Sequence, residues 1–454
     1  MEAIASFFKL TERGTSWATE VRAGVITFMV MAYIIFLNPN IIAGPLGLDP
    51  IAVAAGTALV AGVMTIAMGV VGNYPFAIAA GLGLNAIVAF QLTGMGLSAA
   101  GAMGVILIEG VVILVLVLVG LREAIMNAVP LSLKRAIGVG IGLFILFIGF
   151  ASGGLVVQGV PVVDFSFPNS PPQFVFVIGL LITFGLYAMK IRGALIISIA
   201  ATAIIAFVAG VTKVPTDPVT GQVALTLAPS FSTLGLGIQD PFQIFAKANV
   251  LVALLTIFAI MLSDFFDTMG TVTGVAAEAG LARPDGSVPG VGRVLAVDSV
   301  AAIAGGFGGV SSNTTYIESA AGVAEGGRTG LTSVVTGVLF LVAILLAPLT
   351  QLIPEVVTAP ALVLVGYLMF MQVKDINVAD PEDGIPALLT MILMPLTFKI
   401  TVGIGAGFIA WTFIKVVKGK WGEVHWLMWL VTIGFVIFFL TNFITGIIAP
   451  APAP

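Results

Sequence analysis

The stretch AGGFGGVSSNTTYIESAAG, residues 304–322, lies between two long apolar runs yet is itself a poor spanning helix. Its glycine-rich start would leave backbone N–H and C=O groups unpaired in hydrocarbon. Such backbone is tolerated at membrane depth only where protein or a water-filled cavity covers it. The stretch then resumes as a helix and carries a carboxylate, Glu318. A charge at the centre of a membrane helix costs about 2.5 to 3.5 kcal/mol on insertion scales, so something must compensate it. A second stretch, NYPFAIAAGLGLNAIVAF, residues 73–90, repeats the design: a start marked by Pro and Gly, then a helix carrying Asn85. Half-helix ends direct free N–H groups and partial positive charge towards such breaks, so a polar ligand fits between two of them.

Around these breaks the chain is oil. Of 454 residues, 59% are hydrophobic and 9% charged, against roughly 25% charged in an ordinary soluble domain. The composition defines an all-α polytopic membrane protein. Runs such as VVILVLVLVG do not alternate as a lipid-facing barrel strand would. The net charge of -4 and the lack of a basic tract argue against a nucleic-acid partner. The absence of cysteine excludes disulfides, thiolate metal sites and cysteine nucleophiles. There is no G-x-x-x-x-G-K-[ST] phosphate loop, and no cofactor is expected.

Reading apolar runs against their interruptions places spans near 21–42, 50–72, 78–93, 97–120, 133–152, 172–189 and 193–212, then a polar connector whose QVALTL suggests a strand pair or irregular loop. Further spans fall near 249–276, 291–306, 312–325, 330–352, 357–373, 385–399 and 400–417, with an extra hydrophobic segment at 424–448. Seven and seven invite a repeat. The run beginning at Gly94 resembles the one beginning at Gly327, with Leu97 matched to Leu331. Repeats of odd number inserted in succession face opposite ways, the inverted plan of many secondary transporters. With the N-terminus cytoplasmic, every Lys and Arg except Lys213, Lys247 and Lys399 falls on the cytoplasmic side or its flanks.

The eighth span holds SDFFDTMGT, in which Asp264 and Asp267 are three apart and project on neighbouring parts of one helix face. Two carboxylates in a poorly solvated cleft repel each other, which suits one of them to take up and release a proton. The aromatic rings of Phe76, Phe265 and Phe266 are candidates for stacking on a flat ligand.

At these residues the chain resembles the adenine/guanine/hypoxanthine permeases, the AzgA-like branch of the nucleobase transporters. The similarity rests on TSWATEVRAGVITFMVMAYIIFLNP near the start, AAGLGLNA in the third span, SDFFDTMGT in the eighth, SSNTTYIESAAGVAEGGRTGLT in the tenth and MPLTF in the thirteenth. It implies the fold of the uracil and purine transporters: fourteen spans in two inverted sevens, a core and a gate domain, and short strands opening segments three and ten. On that pattern residues 1–20 are a cytoplasmic segment, 21–120 and 249–352 the core, 121–212 and 353–417 the gate, 213–248 an external connector and 418–454 an extra hydrophobic segment. The resemblance assigns the base to Asp264 and Glu318, assisted by Asn85 and Asp267. Thr315, Phe76 and Phe265 complete the candidate set, and Asp264, Glu318 and Asp267 are the candidates for proton coupling.

The expectation is therefore a proton symporter of purine nucleobases in the cell (plasma or inner) membrane, not an enzyme, with a homodimer forming through the gate domain. Three rivals are weaker. An intramembrane aspartyl protease would need a G-x-G-D motif where GLGLN offers Asn85. An anion carrier would place neutral or basic groups at the site, and a uracil or xanthine carrier would share the fold and the carboxylates.

Overall fold

A computed structural model describes residues 2–120, 128–160, 162–216, 223–283 and 287–448. The domain boundary placed at 121 and the end of the terminal segment beyond 448 lie outside them. Among the described residues ten helices are long and apolar enough to cross a membrane.

In the first half, α1 (Trp17–Met31) and α2 (Ile34–Leu46) form one interrupted span, followed by α3 (Pro50–Ala67). Strand β1 (Ile78–Ala80) opens the next segment and leads into the short α4 (Leu82–Ala86), which continues as a wider turn to Leu92. Then come α5 (Ala99–Leu118), α6 (Leu131–Ser152), a hairpin of β2 (Val156–Gln158) and β3 (Val163–Phe165), α7 (Pro171–Ala188) and α8 (Ala194–Val208). The second half has α9 (Val250–Glu278), α10 (Val291–Gly308), β4 (Asn313–Thr315), the short α11 (Ser319–Ala324) and α12 (Gly330–Ala343). It ends with α13 (Glu355–Phe370), α14 (Pro381–Thr397), α15 (Ile400–Val417) and α16 (Trp426–Ile448). Helices begin where a side chain can satisfy the first free N–H groups: Ser16, Asp49, Ser98, Asn249, Thr329 and Asp380 each accept a backbone hydrogen bond as N-caps.

Two packing groups emerge. Helices α1, α3, α5, α10 and α12 pack on one another, as do α6, α7, α8, α13, α14 and α15. In lipid, helices associate by close backbone approach, and small residues at the crossing permit it. A Cβ on Gly337 would collide with the backbone of Gly62, and one on Gly330 with that of Gly69 in the turn that continues α3, so α3 and α12 cross at near-backbone contact. Gly142 and Gly366 make the same arrangement between α6 and α13. The long α9 touches α5 and β4 on one side and α6 and α15 on the other, so it runs between the groups. The terminal α16 is one continuous helix, packed on α15 and α9. The connector contains an isolated bridge, Thr216 with Val223, and the hairpin at β2 and β3 is a feature the apolar runs do not announce.

At the end of α4's helical run the two groups are clasped together. Helix α15 starts without a capping side chain of its own. Buried Gln91 supplies one, accepting from Ile400 N at 3.0 Å and donating to Thr401 Oγ1 at 2.5 Å. Beside it the rings of Phe90, Phe144 and Phe147 close around Phe398, whose φ of 53° is a conformation bulky residues rarely adopt.

Candidate functional site

Strands β1 and β4 pair antiparallel, Ile78 opposite Thr315, Ala79 opposite Thr314 and Ala80 opposite Asn313. Two three-residue strands in apolar surroundings leave outer edges that must find partners. Thr65 of α3 serves β1: its hydroxyl accepts from Ile78 N at 2.9 Å and donates to Ile78 O at 3.0 Å. Asp298 of α10 serves β4, accepting from Thr315 N at 3.0 Å and from Thr315 Oγ1 at 2.9 Å; its other oxygen accepts from Thr268 of α9 at 2.7 Å. The turn into β4 passes through Ser311 at φ 72°, beside a glycine, Gly305, at which any Cβ would meet the Ser311 carbonyl.

The seven residues 312–318 meet three aspartates, two from α9 and one from α10, and contribute a fourth carboxylate, Glu318, of their own. Ser312 donates to Asp264 at 3.4 Å, Thr314 donates to Asp267 at 3.3 Å, Thr315 engages Asp298, and Glu318 stands at the start of α11. Asp264 and Asp298 are buried. Glu318 is partly accessible and Asp267 is exposed, although both stand in the middle of the molecule beside the paired strands. A carboxylate exposed at that depth requires water and not hydrocarbon around it, so the surface it faces is read as a water-filled vestibule. From Asp267 an accessible stripe runs down α9 through Gly270, Gly274 and Ala277, and the segment carrying α11 faces it with Ile317 and Ala324. A Cβ on Gly270 would meet nothing within 4 Å, and one on Gly274 only the tip of Ile317 at 3.9 Å. This vestibule opens on the side of the N-terminus, where Arg13 bonds the carbonyls of Asn73 and Arg328 and Tyr74 reaches Pro289 O. The Gln91 clasp lies at the other end of the third segment.

That geometry has a direct test in a chain without cysteine. Gly274→Cys is expected to react with a water-soluble maleimide applied from the N-terminal side. Gly62→Cys, wedged against α12, should stay unlabelled; a Gly274→Cys variant that fails to react would mean that the stripe is closed.

Asn85 is fully buried in α4, and neither its side-chain oxygen nor its nitrogen has a hydrogen-bond partner. Leaving a buried polar group unpaired costs about 1 to 3 kcal/mol. The Oδ1 of Asn313 and the hydroxyl of Ser311 are likewise buried without partners. Thr315 is buried and occupied by Asp298.

The aromatic candidates separate. Phe76 is fully buried and stacked on Tyr74 at 5.0 Å, and Phe265 is fully buried with Ile113 and Met261. Neither ring is presented to the vestibule. Phe266 is partly accessible, with Lys134 of α6 over its ring at 5.7 Å.

Sequence reasoning missed three residues here. Asp298 is a carboxylate inside an apolar span, the same signal that singles out Glu318. Glu20, fully buried, accepts from the backbone N–H of Arg328, Thr329 and Thr332 and from both threonine hydroxyls, fixing the start of α12. Tyr33 donates to Glu318 at 2.6 Å; an aromatic in an apolar run carries no mark of that role.

Paired broken segments crossing midway, with carboxylates lining a cavity open to one side, define a membrane carrier. A family model described as the Permease family matches residues 18–406, and the chain belongs to that family, within its AzgA-like branch of adenine/guanine/hypoxanthine permeases. It is 38% identical over 445 residues to the guanine/hypoxanthine permease PbuG of Bacillus subtilis, covering 96% of this chain and 99% of that one. It is also 38% identical over 435 residues to the adenine permease AdeQ of Escherichia coli, covering 93% of each. Among solved structures it is similar to the transmembrane domain of a cyanobacterium bicarbonate transporter, BicA, with TM-score 0.63 and 14% identity over 86% of this chain and 96% of that one. That likeness bears on the fold alone.

Proposed function

We propose that this protein imports purine nucleobases by proton symport across the cell membrane, with its N-terminus in the cytoplasm. The observation that carries the reading is the placement of Asp267 and Glu318, accessible carboxylates in the middle of a membrane protein; the buried, unpartnered amide of Asn85 on the paired broken segment supports it. A purine presents N–H donors along one edge and acceptors along another. Carboxylates can take the donors, while the Asn85 amide can give and accept. Asp264 and Glu318 hold the base, Asp267 and Asn85 assist, and Thr315 keeps the strand in place. The names of the relatives support the substrate class. Phe76 and Phe265 enter as packing around the site, and Phe266 is the ring best placed for stacking.

In this reading the chain crosses the membrane fourteen times as two inverted sevens. The group around α3 and α12 is the moving core, the group around α6 and α13 the gate through which a homodimer forms, and α16 an addition to the plan. The vestibule then opens to the cytoplasm. One coupled positive charge contributes about 2.3 kcal/mol per 100 mV, roughly a fifty-fold concentration ratio.

Labelled hypoxanthine, guanine and adenine offered separately to proteoliposomes test the proposal. Uptake is expected for at least one purine, to rise several-fold under an inward pH gradient and to collapse with a protonophore. Uptake indifferent to the gradient removes proton coupling, and uptake of uracil or bicarbonate with no purine removes the substrate class.

A further inference from the structure

Glu318 touches protein on one side and the vestibule on the other. The protein side is Tyr33, whose hydroxyl donates to Oε1 at 2.6 Å across 285 positions of sequence. Tyr33 is fully buried at the junction of α1 and α2, where Ala32 and Tyr33 keep right-handed helical backbone angles and the hydrogen bonds tighten, Ile35 N donating to Ala32 O and Phe36 N to Tyr33 O. The relative position of the two groups is fixed by backbone contact. Gly322, four residues beyond Glu318, lies so close to α1 that a Cβ there would collide with the Thr27 hydroxyl and the Ala23 carbonyl. Tyr316, the other tyrosine near this carboxylate, is used elsewhere: its hydroxyl donates to Ala80 O and locks β4 to the end of β1.

We propose that Tyr33 is a positioning residue for substrate binding. It pins Oε1 of Glu318 from the protein side, so that the remaining oxygen is held towards the vestibule in the orientation that meets a substrate N–H. An ionised carboxylate on a flexible side chain would otherwise rotate among several orientations, and a donor built into the fold removes that freedom before the ligand arrives. Charge-assisted hydrogen bonds are short and among the stronger ones, in line with the observed distance. The inference rests on the reading of Glu318 as a base-binding group and deepens it by naming what orients that group.

A buried tyrosine hydroxyl usually finds a partner whatever its role, so the experiment must separate positioning from packing. Tyr33→Phe keeps the ring and removes only the donor. Purine uptake kinetics and thermal unfolding are measured on the purified variant in parallel with Glu318→Gln. The expected result is a KM raised about ten-fold, the scale of one lost hydrogen bond to a charged group, with Vmax within about two-fold and an unchanged melting temperature. An unchanged KM overturns the proposal. So does a fall in Vmax and melting temperature at constant KM, or a variant that no longer folds, because each makes the hydroxyl a structural strut. If Glu318→Gln itself transports normally, the reading of the site fails first. If that variant is inactive while Tyr33→Phe has the wild-type KM, the role given to Tyr33 fails alone.

Discussion

Glu318→Gln is expected to abolish purine uptake while leaving the protein folded. Glutamine can still accept the Tyr33 hydroxyl through its oxygen, so the contact between the first span and α11 survives. What changes is the group facing the vestibule. In the proposed role a carboxylate oxygen accepts from a purine N–H; glutamine would set an amide donor there, and donor would meet donor. The charge that a proton would neutralise is lost as well. A site built to pair with substrate N–H groups loses about 3 kcal/mol or more when one partner is removed, which is over a hundred-fold in affinity. The check is initial-rate uptake in cells lacking their own purine carriers, normalised to protein in the membrane, with the melting temperature as the fold control. Asp264→Asn is expected to lose uptake as well, in line with the base-holding role proposed for Asp264, which accepts from Ser312 at the other end of the same seven-residue segment. Normal transport by either variant would contradict the role given to it.

The long spans were legible because hydrocarbon imposes a length and a composition on any helix that crosses it. The two broken segments were legible for the converse reason: glycine, proline and polar residues at membrane depth need a cavity or a protein cover. Carboxylates followed from their cost, and Asp264, Asp267 and Glu318 do come together around one short strand. Asp298 obeys the same rule with less signal around it, since AVDSVAA contains neither a second acid nor a glycine break. Aromatic roles were not legible. Phe265 and Phe266 are neighbours in sequence, yet a turn of about 100° per residue sends one into an apolar cluster and leaves the other partly accessible. Tyr33 and Gln91 depend on partners more than 280 positions away, and no local pattern encodes such a meeting.

Asp298 carries the other large effect, and it separates scaffold from ligand binding. Its two oxygens accept from donors on two elements, among them Thr315 N and Oγ1 in β4 and Thr268 Oγ1 in α9. Asp298→Ala leaves all three buried without that acceptor, in a place too enclosed for water to replace it freely. Hydrogen bonds to charged groups contribute about 1.5 to 3 kcal/mol each, and as these share one residue their sum overstates the loss; about 3 kcal/mol is a fair expectation. Strand β4 would then lose its Asp298 partner, and the spacing that holds Asp267 and Glu318 at the vestibule and Asp264 buried behind Ser312 would loosen. Uptake should therefore be lost together with stability, with the melting temperature several degrees lower, whereas Glu318→Gln loses uptake alone. Asp298→Asn keeps one acceptor oxygen for Thr315 or Thr268 and is expected to lie between the wild type and the alanine variant in both measurements. An Asp298→Ala protein as stable as the wild type but unable to bind purine would place this carboxylate in the ligand's own coordination and not in its support.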